Sequence, residues 1–253
     1  MRDPNPIEMY PIYLQVCAGL ANRLRATVSG ICAAEDLSRN IVISWPPEEA
    51  FGGTWDDLFE PLDQPWVATA HMDNSQHLRM CLSQNDWDIE RRLQSITIKS
   101  YGHFHRTDPE RWLRYFRGLK PKKEYLEKLD TLFGGRPAVG VHIRRTDNTH
   151  SIKGSPTTAF FEAMDQYPST TLFYVATDDI NERYAILNRY PGRLLPRATL
   201  SLERHTLKGV EGAVLEFFAL ARCTEVLGSA SSSFSELAAL YGGCPLRVIT
   251  QAP

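Results

Sequence analysis

The residues best suited to chemistry form one run, Val141-His142-Ile143-Arg144-Arg145-Thr146-Asp147. Residues 138–141 are small and apolar and read as a buried strand that delivers its end straight into two adjacent arginines. Ligands of open α/β sheets bind beyond the carboxyl ends of the strands, so this exit is where a site belongs. Two neighbouring guanidinium groups repel each other and call for an anion. Each presents a planar fork of N–H donors that matches the paired oxygens of a phosphate or diphosphate. A surface arginine pair held in ordinary salt bridges is the plainer reading. The histidine on one side and the Thr-Asp pair on the other weigh against it.

A second run, Gly228-Ser229-Ala230-Ser231-Ser232-Ser233-Phe234-Ser235-Glu236, again places small hydroxyl residues between a strand and a helix. Ser233 and Glu236 have the spacing of a capping box. The backbone N–H groups of that helix start, with the hydroxyls of Ser231 and Ser232, make an anion cradle. Taken alone, this run is as well explained by a simple helix cap; taken with Arg144, it is half of a phosphate site built from two strand ends.

Two further runs leave alternatives open. Ala18-Gly19-Leu20-Ala21-Asn22-Arg23-Leu24 is a glycine-containing turn without the spacing of GxGxxG or of the Walker loop, so neither a dinucleotide nor a P-loop NTPase reading is supported. Asn22 stands at the start of a helix and serves either a site or the turn alone. Ala176-Thr177-Asp178-Asp179 sets two carboxylates at a strand end. They would either bind a metal or orient the arginines and cap a helix, and the second reading is preferred because the arginines already neutralise a diphosphate. The expected site therefore has no metal and no bound cofactor. His142 is either a core histidine or a hydrogen-bonding partner of the ligand.

The elements that hold these runs alternate. Strands are expected at 10–16 and 41–45, with a helix at 20–39 between them, and a further strand at 96–101. Helices follow at 108–119 and at 121–133, the second opening on a proline. After the break at Gly134-Gly135-Arg136-Pro137, strands at 138–143, 172–176, 225–228 and 246–250 alternate with helices at 156–167, 180–190, 212–222 and 233–241. Such alternation implies α/β architecture with parallel sheets covered on both faces. The expected organisation is two Rossmann-like domains, residues 1–135 and 136–253, with their sheets facing a cleft. One sheet carrying a large insertion is the structural alternative. Residues 46–94 are rich in Pro, Trp and acidic side chains and read as irregular, with Trp45, Trp55, Trp66 and Trp87 mostly in the core and one or two available to stack on sugar rings.

Composition removes several classes. The chain has 253 residues, 43% hydrophobic and 23% charged, with a formal charge of -2, so it offers no general attraction to nucleic acid or anionic membrane. Five scattered cysteines show no metal-ligand spacing and read as free thiols. No apolar run is long enough for a signal peptide or a membrane span. The expectation is a cytoplasmic protein whose partners are small molecules or glycans, with no nucleic acid.

His142 to Asp147, Val175 to Asp179, Gly212-Ala213-Val214-Leu215-Glu216, and Ser231-Ser232 occur in the order found in α-1,6-fucosyltransferases of the Nod-factor type, and Gly19 to Leu24 resembles the Gly-x-x-Asn turn of the same superfamily, which more distantly includes the protein O-fucosyltransferases. The resemblance implies a GT-B-like fold, GDP-fucose as donor, a glycan as acceptor, inversion at the anomeric carbon and no metal. It implies that Arg144 binds the diphosphate with Arg145 beside it. It makes His142 and Glu216 guanine or ribose contacts, and Ser231 and Ser232 phosphate contacts. Asn22 becomes the cleft asparagine of the N-terminal half.

The chain departs from the family in three respects. Position 216 is Glu where these enzymes typically have Asp, no glutamate follows the RRTD run within residues 148–153, and their long helical and accessory regions are missing. As proton acceptors, Asp147 and His150 are nearest, Asp178 is weaker, and catalysis without a dedicated base is the alternative. A different donor, such as a UDP- or GDP-linked pentose or deoxyhexose, and a non-catalytic nucleotide- or glycan-binding protein are the rival readings.

Overall fold

The computed structural model describes residues 11–70, 72, 79–80, 96–198 and 201–251. Cys81, Trp87 and most of the expected irregular stretch between 71 and 95 lie outside the described residues, as does residue 10, the expected start of the first strand. By compactness the chain divides into two units, Met1–Lys122 with Glu203–Glu211, and Lys123–Leu202 with Gly212–Pro253.

In the first unit, β1 (Ile12–Val16) is followed by α1 (Leu20–Asp36), β2 (Ile41–Ser44), α2 (Trp55–Leu58), β3 (Val67–Thr69), β4 (Arg79–Met80), β5 (Ile96–Ser100) and α3 (Pro109–Gly118). The five strands form one parallel sheet in the order β3-β2-β1-β5-β4. β1 lies at its centre, with Ile12, Leu14 and Val16 fully buried. Leu24, Val28 and Ile31 recur at helical spacing on α1 and are buried as well. Trp45, Phe51, Trp55 and Phe59 form one aromatic cluster with neighbouring centroids 4.6–5.6 Å apart. Trp45 and Trp55 are therefore core residues. Thr54 and Asp57 build the capping box that starts α2, a short helix that had no periodic signal. α3 begins at the expected place because Asp108 accepts from the Arg111 N–H.

The second unit opens with α4 (Lys123–Phe133). This helix starts two residues later than expected, because Pro121 bridges Phe59 and Lys122 donates its N–H to the Leu58 carbonyl. Gly134 and Gly135 close it with φ of 54° and 73°, a left-handed pair that glycine adopts without a Cβ penalty. Then come β6 (Val139–Ile143), α5 (Thr149–Gly154), α6 (Thr157–Met164), β7 (Phe173–Thr177), α7 (Ile180–Arg189), α8 (Leu207–Ala221), β8 (Glu225–Ser229), α9 (Ser233–Gly242) and β9 (Leu246–Ile249). The sheet is parallel throughout, in the order β7-β6-β8-β9.

Every residue of β6 and β7 is buried, as a sheet covered on both faces requires. Val141, Ile143, Phe160, Met164, Phe173, Val175 and Ile186 join one core, and each such side chain stabilises by about 1.5–3 kcal/mol when withdrawn from water. α8 starts five residues before its expected position. Thr206 supplies the cap, its hydroxyl accepting from the Gly209 N–H and its carbonyl from Val210, and the first turn of α8 belongs to the first unit. Among the described residues no helix is long and apolar enough to cross a membrane, and Cys17, Cys32, Cys223 and Cys244 are free thiols.

Candidate active site

β6 is an inner strand flanked by β7 and β8, so its last residues emerge in the middle of the carboxyl edge of the second sheet. Beyond Ile143 the ladder is continued by a side chain. The Ser229 hydroxyl, at the end of β8, accepts from the Arg144 N–H at 3.0 Å and donates to the His142 carbonyl at 3.3 Å. Arg144 is thereby fixed at the strand exit with its side chain one-fifth exposed. Its Nη1 donates to Asp178 and its Nη2 to Asp147.

Asp178 follows β7 and gathers three donors: Arg144 Nη1, the Arg145 N–H at 2.7 Å and the Thr146 hydroxyl at 2.7 Å. It positions the arginine run. Asp179 caps α7 by accepting from the Asn181 N–H at 2.8 Å. Each carboxylate thus has an arginine-orienting or capping partner, and among the described residues no group of three or more His, Cys, Asp or Glu side chains is arranged to hold a metal ion.

The two arginines behave differently. Arg145 is buried, with Nε on Glu182 at 2.6 Å, Nη2 on the Thr157 hydroxyl at 3.1 Å and Nη1 on the Arg144 carbonyl at 3.0 Å. Its guanidinium braces the segment that carries Arg144.

The β8–α9 turn supplies the other half of the edge. Ser231 has a φ of 55°, a left-handed conformation that costs a non-glycine residue about 1 kcal/mol or more. The expected capping box on Ser233 and Glu236 does not form. Ser232, with extended backbone, is the N-cap, Ser233 is already helical, and the Ser232 hydroxyl caps nothing. It lies instead 3.4 Å from His142 Nδ1. The Ser232 side chain thus does not cap the N–H groups of residues 233–235, which have no acceptor within the helix. A helix N-terminus of this kind favours an anion.

His142 is buried and its ring stacks on Phe234 at 4.9 Å, which ties the β6 end to the first turn of α9. Phe217 of α8 packs edge-on against Phe234 at 5.4 Å. Beside Phe217, Glu216 is buried and accepts from Arg197 Nε at 3.0 Å, while Arg197 Nη2 reaches the Thr177 carbonyl at the end of β7. Burial pushes the Glu216 carboxyl up to about 7, with Arg197 pulling the other way.

His142, Arg144, Arg145, Asp147, Asp178, Ser231 and Ser232 are thus collected at one sheet edge, and Glu216 joins it through Arg197. Asn22 stands half-buried in the first turn of α1 in the first unit. Beside it Arg23 is fully buried, with Nε on the Ala18 carbonyl at 2.7 Å, Nη2 on Glu48 at 3.2 Å and its guanidinium 4.5 Å above the Phe51 ring.

Sequence reasoning missed Arg197, Ser229 and the short helix α5. Asn148 caps α5 by accepting from the Ser151 N–H and also donates to the Ser231 carbonyl, while Ser151 donates to the Ala230 carbonyl. The signal for α5 was present as an Asn three residues before a Ser, too short to show a period. Arg197 sits in a stretch without periodicity and gave no signal.

By sequence, no family profile and no curated protein matches the chain. Solved structures do match. An α-1,6-fucosyltransferase NodZ co-crystallised with GDP has a TM-score of 0.61 at 21% identity, covering 91% of this chain and 91% of that one. POFUT1 in complex with GDP-fucose has a TM-score of 0.64 at 11% identity, covering 95% and 98%. A variant of Arabidopsis thaliana FUT1 in complex with GDP has a TM-score of 0.61 at 12% identity, covering 97% and 71%. At these identities the likeness establishes the fold, an α/β, GT-B-like arrangement as expected.

Proposed function

We propose that this chain is a glycosyltransferase of the fucosyltransferase superfamily. It transfers L-fucose from GDP-fucose to a hydroxyl of a glycan acceptor, with inversion and without a metal ion. The observation that carries this reading is the placing of Arg144 at a strand end beside the strand that leads into α9, a helix whose N-cap residue Ser232 gives it no side-chain cap. The likeness of the fold to structures holding GDP or GDP-fucose supports the choice of donor.

Fucosyl transfer passes through an oxocarbenium-like state in which negative charge grows on the departing diphosphate. Preorganised donors aimed at growing charge are usually the largest catalytic contribution. Arg144, the α9 N–H groups and the hydroxyls of Ser231 and Ser232 are assigned to that diphosphate. Arg145 and Asp178 hold Arg144 in place. His142 and Glu216 are assigned to the guanine or ribose, and Asn22 is the candidate from the first unit. Asp147 and the exposed His150 are nearest for accepting the acceptor proton.

A second reading keeps the chemistry and changes the donor. Glu216 is engaged by Arg197 at 3.0 Å, and a glutamate so held would suit a base other than guanine. Melting curves against GDP, UDP and their sugars separate the two, since a ligand of the folded state raises the midpoint by mass action. The expected result is a rise with GDP and GDP-fucose that exceeds the rise with UDP. Incubation of GDP-fucose with a mixed glycan library then gives products heavier by one deoxyhexose. A rise with UDP alone would replace the donor, and donor binding without transfer or hydrolysis would remove the enzyme reading.

A further inference from the structure

Within the strand-end cluster, two guanidinium groups are set among three carboxylates, Asp147, Asp178 and Glu182. The ligand-free edge therefore carries more negative than positive charge from these five groups, although the proposed function, on which this inference rests, gives it a diphosphate to bind. Arg144 turns Nη1 to one carboxylate and Nη2 to another. A carboxylate and a phosphate present the same paired-oxygen face to a guanidinium fork. Phosphate oxygens seated on the same fork compete with these carboxylates for the η N–H groups.

The two carboxylates differ in exposure and in how local they are to Arg144. Asp178 has a side chain only 14% exposed and also accepts from the Arg145 N–H and the Thr146 hydroxyl, so releasing Arg144 would not release it. The Asp147 side chain is 63% exposed and local to Arg144 in sequence, three residues on. The neighbouring Thr146 hydroxyl reaches it only at a long 3.4 Å, against 2.7 Å to Asp178. An exposed ion pair is worth at most about 1 kcal/mol, whereas a carboxylate left among withdrawn donors costs more.

We propose that Asp147 is a resident counter-ion that occupies the phosphate's place on Arg144 and is displaced by the donor diphosphate. It keeps the guanidinium aimed at the strand exit while the site is empty, and it competes with the nucleotide for the same N–H groups. Displacement turns the Asp147 carboxylate out of its ion pair at the moment the donor is seated, so its availability as a proton acceptor is coupled to donor binding.

The test is calorimetric titration of wild type, Asp147→Asn, Asp147→Ser and Asp147→Glu with GDP and with guanosine, each variant first checked for an unchanged melting transition. Removing the competitor should make binding tighter. GDP should bind Asp147→Asn and Asp147→Ser about fivefold more tightly than wild type, the equivalent of ~1 kcal/mol. Asp147→Glu should stay near wild type, and guanosine, which has no phosphate, should bind all four alike. Asp178→Asn should shift GDP affinity the other way. GDP binding to Asp147→Asn that is unchanged or weaker would overturn the proposal, as would equal tightening for guanosine. Wild type that fails to bind GDP at all would instead overturn the nucleotide reading, and this proposal with it.

Discussion

At the residue scale, the site depends on where charged groups are held and what holds them. Arg144 and Arg145 are identical and adjacent, yet one faces the sheet edge while the other is buried on Glu182 and Thr157. Sequence marked the pair as an anion site but offered no means of dividing the labour, because the partners of Arg145 come from residues 157 and 182. Glu216 makes the most direct pH prediction. In the folded chain its carboxyl is raised from 4.5 to about 7, chiefly by burial, so between those values the folded chain keeps a proton that the unfolded chain has released. Its contribution to stability is therefore greatest at or below about pH 4.5 and is lost as the pH rises through 7. Urea unfolding of wild type and Glu216→Gln across this window should show wild type losing stability relative to the variant as pH increases. Parallel pH profiles would contradict the assignment.

At the element scale, strand ends are aligned by small residues that permit close contact. Gly228 lies opposite His142 in the β6–β8 register, and a Cβ there would come 2.6 Å from Ser235 Oγ and 2.8 Å from Ser235 Cβ. The first turn of α9 rests on this position. Gly228→Ala should cost about 1–3 kcal/mol by overpacking, lowering the melting midpoint, and should also weaken GDP binding because Ser231 and Ser232 ride on the displaced helix start. A variant with native midpoint and native GDP affinity would show that the contact is tolerated. α1 was legible because Leu24, Val28 and Ile31 repeat at helical spacing, and β6 and β7 because each opens on a mostly apolar run that is buried throughout. α2, β3, β4 and α5, at six residues or fewer, are too short to carry a period. The cap of α9 was placed one residue late because Ser231, Ser232 and Ser233 are interchangeable as cap residues by type. Only backbone geometry, with Ser231 left-handed and Ser232 extended, separates them.

At the scale of the whole molecule, two parallel α/β units each place a strand-to-helix turn at a sheet edge, with Ala18 and Ser231 left-handed immediately before Gly19 and Ser232 as N-caps. Alternation of strands and helices made this class readable, but the crossing of the chain back into the first unit at Glu203–Glu211 was not, since the boundary at its far end falls inside the continuous helix α8 and no loop marks it. The proposed site seats the diphosphate on Arg144, helix N–H groups and serine hydroxyls, without a metal ion. This seating is tested most directly by calorimetric titration of GDP into wild type and Arg144→Ala in buffer containing EDTA, with melting curves to show that the variant stays folded. Wild type should bind with the chelator present, and the variant should retain its melting transition while binding is lost or weakened by about a hundredfold, a loss of ~2.7 kcal/mol. Equal affinity in the two proteins, or wild-type binding that appears only when a divalent cation is restored, would contradict it.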